Sequence, residues 1–372
     1  MKTKINYNFL FFVMLFAVIS VASIFSAAVY TSSALGNLAI KQVAWYLLGL
    51  VGVFFIIKLK NNFFYDNAWL LYGLGIFLLL LLIVIGVPIN NSRCWFVIPG
   101  VGSVQPSEFM KLFIMLVLAK LIYNFRRKYD NPTLYEEFVF IISCFLVVLI
   151  PSVLTFLQPD TGAVIIYLII FLFMMFLSGI RLRWFLFALL FLGVIGGICG
   201  GLYLFKENVF LKVFGTSIYY RIERLFMWRD GVGLQLENAI AAMGSGGLVG
   251  HGFNKTPIYF PEASTDFIFA VFSSNFGFIG FLCVLSIFML FDLSIFSLIK
   301  KKKNFISKYI LGGILGMLLF QQVQNIGMTV GLFPITGITL PFISYGGSSL
   351  LSYLIIIGIL INISSEKNKK YS

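Results

Sequence analysis

Histidine is almost missing from this chain: one residue, His251, in 372. That argues against a histidine-built zinc centre and against a Ser-His-Asp triad. His251 itself reads as an incidental residue of a glycine-rich loop. Cysteine is scarce too. Cys94, Cys144, Cys199 and Cys283 have no metal-ligand spacing, and three lie in apolar runs. They read as small hydrophobes, with no disulfide framework. Charge is the third shortage. Only 11% of residues are charged, where a soluble domain carries roughly a quarter. No stretch has the composition of a separate soluble domain; the longest candidate, 205–264, is too poor in apolar residues to build its own core.

What the chain has is hydrophobic length. It is 60% hydrophobic with a mean hydropathy of +0.99. Repeated apolar runs of about 20 residues define an all-α polytopic membrane protein. A membrane β-barrel would alternate apolar and polar residues in short segments instead. The first run, Phe9–Tyr30, follows a short basic start and is read as a retained helix, although Ser26-Ala27-Ala28 faintly resembles a signal cleavage site. Further spans are expected near 43–58, 68–87, 108–124, 137–156, 161–178, 183–204, 266–298, 308–332 and 342–363. That makes about ten, with a large extracellular loop (about 205–265) between spans seven and eight, all in one domain covering 1–372. The run 267–299 would be about 50 Å long as a helix, more than a ~30 Å hydrocarbon core. It must tilt, protrude or kink, the last near Gly277–Gly280.

The net charge of +13 could suggest nucleic acid, but the basic residues sit in short runs between spans. With the N-terminus inside, Lys58, Lys60, Arg126, Arg127, Lys128, Arg181, Arg183 and the run from Lys300 to Lys303 all face the cytoplasm. This is the pattern of loops against anionic membrane lipids, and it places both termini in the cytoplasm of a multi-pass membrane protein. The acids tilt the other way: Glu108, Asp160, Glu207, Glu223, Asp230, Glu237, Glu262 and Asp266 fall on or near the outer side. The functional chemistry is therefore sought there.

Four stretches carry it. In 244–270, Asp266 follows Thr265 and opens a long apolar helix. It either caps that helix or, shielded at the membrane edge with Glu262 nearby, serves as a general base. In 91–112, Arg93 and Trp95 precede a helix that Ser107 would cap. Glu108 and Lys111, three apart, can pair on one face; alternatively Lys111 meets a diphosphate. In 157–162, Asp160 either caps the helix from Thr161 or faces the outer site. In 334–350, the density of Pro and Gly argues for shaped, non-helical backbone lining a cavity. Within the loop, Val209–Trp228 reads either as an amphipathic segment on the membrane surface, where its basic residues meet lipid phosphate, or as a segment that only seals the bundle. Leu234–Met243 reads as a short helix, and the following glycines as a flexible connection without a nucleotide-binding pattern.

Together these stretches resemble the SEDS family of bacterial cell-wall proteins, the FtsW, RodA and SpoVE group. The matching segments are RCWF–QPSEFMKL, LQPDTG, GSGGLVGHGF–FPEASTDFIFA and NIGMTVGLFPITGITLPFISYGGSSL, in family order. The resemblance implies a peptidoglycan glycosyltransferase. It would polymerise lipid II, a disaccharide-peptide on undecaprenyl diphosphate, at the outer face of the bacterial cytoplasmic membrane. Asp266 falls on the family's essential aspartate, with general base as its role. Arg93, Trp95, Glu108, Lys111 and Arg221 would line or support the cavity, and Asp160, Glu262 and Ser344 complete the expected substrate-binding set. A divalent cation, Mg or Mn, would help neutralise the diphosphate. Its ligands are unassigned, and no organic cofactor is expected. The implied partner is a class B penicillin-binding protein, a transpeptidase; no nucleic acid is involved. The chain departs from the family at Ser264, where His is common, and at Ser273-Ser274-Asn275, where acids are common. Chain length and NIGMTVGL lean toward RodA and elongation, while PEASTDFIFA and TGITLP lean toward FtsW and division; the balance slightly favours RodA.

Two other readings compete. A lipid II flippase would line a transit path open to both faces, but acids thin out in the inner halves of the spans. A non-catalytic scaffold for the transpeptidase would tolerate Asp266→Asn.

Overall fold

The computed structural model describes residues 7–28, 36–87, 92–98, 102–205, 208–216, 219 and 234–366. Its helices are α1 (Asn8–Ala27), α2 (Gly36–Asp66), α3 (Ala68–Ile85), α4 (Pro106–Lys128), α5 (Leu134–Leu157), α6 (Thr161–Ser178), α7 (Arg183–Phe205), α8 (Leu234–Ser245), α9 (Ile268–Lys301), α10 (Phe305–Thr329) and α11 (Gly347–Ser365). Among the described residues, nine are long and apolar enough to cross a membrane. The tenth long helix, α4, carries Glu108, Lys111, Lys120, Arg126, Arg127 and Lys128. The expectation of about ten spans therefore holds, with α4 the exception in composition.

The reason α4 tolerates its charges is its position. It packs against α3, α5, α6, α10 and α11. Lys111, Ile114, Met115, Val117, Leu118, Ala119 and Ile122 are all buried on it. Pro at N1 suits its start, because that amide has no intrahelical partner. At the other extreme, α7 has no buried residue at all. One helix is the axis of the bundle and the other stands at its lipid-facing margin.

Local chemistry sets the boundaries. Thr133 and Glu136 form a reciprocal capping box at the start of α5, and Asn304 caps α10. The last span, expected from 342, begins at Gly347, because 334–346 is the irregular segment that the Pro and Gly content anticipated. An unanticipated small antiparallel hairpin, β1 (Phe96–Ile98) with β2 (Gly102–Val104), pairs Phe96 with Val104 and Val97 with Ser103. Three-residue strands are too short for alternation to show.

The long run kinks where its length demanded relief. Gly277 leaves the helical region at φ 63°, ψ −158°. The kink frees backbone groups, and the glycine-rich loop 244–252 takes them up. His251 and Gly252 donate their amides to the carbonyls of Ser274 and Asn275, at 3.1 and 3.0 Å. Phe278 and Ile279 donate to Gly247 and Leu248, at 2.9 and 3.1 Å. A Cβ on Gly277 would lie 2.4 Å from the Gly250 amide nitrogen, so glycine is required for the contact as well as the turn. This segment is thus fastened to the helix, against the flexible connection read from its composition. The expected helix at Leu234–Met243 is present as α8; most of Val209–Trp228, including Arg221, lies outside the described residues.

Candidate active site

Irregular segments at one end of the bundle enclose a cavity of about 1220 Å³. Trp95, Glu108, Asp160, Glu262, Asp266, Gln321 and Tyr345 are among the residues that line it. Three of the four stretches singled out in the sequence contribute Trp95, Glu108, Asp160, Glu262 and Asp266, and the 334–350 segment supplies the remaining wall through 335–339 and 345–349.

Asp266 arrives on a tight turn. Glu262 adopts a positive φ of 53°, and its carbonyl accepts the amides of Thr265 and Phe267 at 3.2 and 3.1 Å. Positive φ in a non-glycine residue is strained and persists only when the surroundings hold it. Here they do, through three consecutive carbonyls. Tyr345 N–H donates to Ser264 O at 2.9 Å. Ser344 Oγ donates to Thr265 O at 2.7 Å. Asn325 Nδ2 donates to Asp266 O at 2.8 Å and to Ile338 O at 2.9 Å.

The side chain of Asp266 is treated differently from its backbone. Helix α9 starts after it, with Phe267 in the capping position and no side-chain cap. The capping reading is therefore set aside. The half-buried carboxylate accepts no hydrogen bond from the described residues, and the Glu262 side chain is engaged with Thr265 Oγ1 at 2.6 Å. Burial, with the Glu262 charge adding to it, pushes the Asp266 carboxyl up to about 7.

Asp160 is the opposite case. It caps α6, with Oδ1 accepting from Ala163 N at 3.0 Å. Its Oδ2 accepts from Gln105 Nε2 at 2.7 Å and Ser107 Oγ at 3.1 Å. The sequence offered Ser107 as a cap for α4; the helix instead begins at Pro106 without a side-chain cap, and Ser107 serves Asp160. Burial raises the Asp160 carboxyl above its ordinary value.

The remaining candidates separate. Glu108 and Lys111 pair at 2.6 Å as their spacing anticipated. Lys111 is wholly buried behind Glu108, with its ammonium 5.1 Å above the Tyr353 ring, so its charge is already matched inside the protein. Arg93 is exposed and does not line the cavity. Ser344 is buried under the Asp266 turn, accepting from Leu340 N at 2.9 Å while donating to Thr265 O; it shapes the wall without lining it. Arg221 lies outside the described residues. Cys94 is buried, its thiol on Gln158 O at 2.8 Å.

The donor set does not fit a resident metal ion. No group of three or more His, Cys, Asp or Glu able to hold one occurs among the described residues. Asp160 has both oxygens committed, Glu108 is paired with Lys111 and Glu262 is bonded to Thr265.

The sequence reading missed Gln321 and Asn325. Their signal was present: Gln321-Gln322-Val323-Gln324-Asn325 is an unusual polar run inside a membrane span, and α10 has the lowest mean hydropathy of the nine apolar helices, 1.3.

The comparisons with known proteins concern the chain as a whole. The family model described as "Cell cycle protein", covering FtsW, RodA and SpoVE, matches residues 6–369. The stage V sporulation protein E of Bacillus subtilis (strain 168) is 34% identical over 344 residues, spanning 87% of this chain and 86% of its own. The peptidoglycan glycosyltransferase RodA of Treponema pallidum (strain Nichols) is 29% identical, spanning 88% and 90%. A chain from a solved peptidoglycan synthase complex, described as coordinating polymerization and crosslinking, superposes with a TM-score of 0.78 at 26% identity, covering 99% of this chain and 100% of that one.

Proposed function

Because the chain belongs to the FtsW, RodA and SpoVE family and is a multi-pass membrane peptidoglycan glycosyltransferase, we propose that Asp266 is the base of its transfer reaction. The observation that carries this reading is the contrast within one residue. Its turn is clamped at three consecutive carbonyls, while its carboxylate accepts no hydrogen bond from the described residues and opens on the cavity. A group held still but left unbonded is prepared to exchange a proton.

The substrate is lipid II. Asp266 takes the proton of the acceptor sugar's 4-hydroxyl as that oxygen attacks the anomeric carbon of the donor. The new C–O bond forms while the bond to the lipid diphosphate breaks, and the electron pair leaves with the diphosphate. A carboxylate near 7 suits this work, because at neutral pH it is both partly deprotonated and basic enough to accept. Trp95, Glu108, Asp160 and Glu262 form substrate-facing wall; Lys111 and Ser344 support that wall from behind. Arg93, exposed and off the cavity wall, would meet the diphosphate, and Arg221 keeps only the supporting role that the resemblance implies. A divalent cation, Mg or Mn, would arrive with the diphosphate, and no step here depends on it. The ten long helices among the described residues, an even number, support both termini on one side. The charge distribution favours the cytoplasm for them and the outer face for the cavity. The partner is a class B penicillin-binding transpeptidase, in line with the polymerising and crosslinking complex that the chain resembles.

The test is glycan polymer formation from lipid II by the purified protein with a matched class B partner. Wild type should polymerise and an equally folded Asp266→Asn variant should not. Equal polymer from both would remove Asp266 from the chemistry.

A further inference from the structure

Gln321 has a side chain that the fold does not finish using. It is 1% exposed, yet it lines the cavity that holds Asp266. Its Nε2 donates to Tyr353 Oη at 2.8 Å. Its Oε1 has no hydrogen-bond partner among the described residues. A buried amide oxygen left unpaired costs about 1–3 kcal/mol, so native proteins rarely leave one without a ligand or water to complete it.

The position of this amide is tied to that of Asp266. Gln321 and Asn325 stand four apart on α10, on one face and about 6 Å along the axis. Asn325 is the residue whose Nδ2 holds Asp266 O at 2.8 Å. One helix face therefore fixes the backbone of the base and, one turn deeper, holds a buried, unpaired acceptor on a residue that lines the same cavity. The support is rigid as well. Tyr353 is fully buried, has Thr339 as a second side-chain partner, and is packed between the Lys111 ammonium at 5.1 Å and the Phe342 ring at 5.2 Å.

We propose that Gln321 is a substrate-binding residue. Its amide accepts a hydrogen bond from an N–H or O–H donor on the sugar whose hydroxyl Asp266 deprotonates. This rests on Asp266 as the base, and it names a recognition contact for that same site. An acetamido N–H and a ring hydroxyl are the two sources of such a donor.

The experiment is steady-state polymerisation of lipid II by the full chain with its class B partner. Gln321→Met keeps the shape and removes the acceptor. It should raise KM about tenfold, the worth of one lost buried hydrogen bond, with kcat within about twofold. Gln321→Glu keeps an acceptor oxygen and a contact to Tyr353, and should keep KM near wild type. A lipid II analogue with hydroxyl in place of acetamide on the acceptor sugar separates the sources. If it loses the same factor with wild type and nothing further with Gln321→Met, the acetamide is the partner; additive losses assign a ring hydroxyl. An unchanged KM in a folded Met variant overturns the proposal. So does a Glu variant as impaired as Met, since the loss would then be packing. Failure of the base reading looks different: Asp266→Asn would retain kcat, while the KM effects of Gln321 would stand.

Discussion

Asp160 and Asp266 face the same cavity, each next to the start of a helix, and each looks in sequence like a cap. One is a cap and the other is not. Asp160 spends its carboxylate on Ala163, Gln105 and Ser107, so it joins two walls of the cavity. Asp266 is held through the carbonyls of residues 264–266, and its carboxylate has no donor among the described residues. The difference teaches where to look for a reactive acid. Burial raises both carboxyls, so a shifted proton affinity does not separate them. What separates them is whether the oxygens already have donors.

The comparison can be broken most directly at Asp266. Asp266→Asn should cut glycan synthesis by about 10²–10⁴-fold, the usual worth of a positioned base. Thermal stability should hold, because no cap is lost; a comparable loss of activity from Asp160→Asn in a folded protein would erase the distinction. Next in size is the clamp. Ser344→Ala removes the bonds to Thr265 O and Leu340 N. It should lower kcat about tenfold, with a stability cost of about 1–2 kcal/mol that Ser344→Thr largely restores. Asp160→Ala should mainly cost stability, again about 1–2 kcal/mol for a lost cap, read as a fall in Tm with a smaller change in rate.

The finest test is pH. With its carboxyl near 7, Asp266 must lose its proton to act, so kcat/KM should climb as pH rises through about 7 and level off above. Glu262→Gln removes the lesser of the two causes of that elevation, so the rising limb should move to lower pH without disappearing. Stability runs the opposite way. A carboxyl held above its ordinary range favours the fold while protonated, and that contribution is lost as pH rises through about 7. A rate profile with no limb near neutrality would deny Asp266 its role.

Much of this was legible beforehand. The spans, the Glu108–Lys111 pair, the Asp160 cap and the helix break at Gly277 follow from length, spacing and glycine, which act locally. The capping alternative for Asp266 had a local cause too: Thr-Asp before an apolar run is a common helix start. It is excluded by the turn centred on Glu262, which delays the helix by one residue and which no propensity encodes. The bonds of Ser344 were not legible, because its partners are residues 265 and 340, one of them 79 positions away. The polar run at 321–325 was overlooked because hydropathy averages hide it inside a span that still qualifies as apolar.

The burial of α4 has a consequence for how the protein is made. A charged residue at the centre of an isolated span costs about 2.5–3.5 kcal/mol to insert, and α4 presents Lys111 and Lys120 as well as Glu108. Its surroundings come from α3 on one side and from α5, α6, α10 and α11 on the other, and the last two are synthesised long after it. During biosynthesis α4 therefore waits, half-housed, for helices that emerge some two hundred residues after it. A ribosome stalled before α10 would leave in the bilayer a chain whose most polar span lacks two of its packing partners, and the cell's membrane quality control would meet it as an unfinished product.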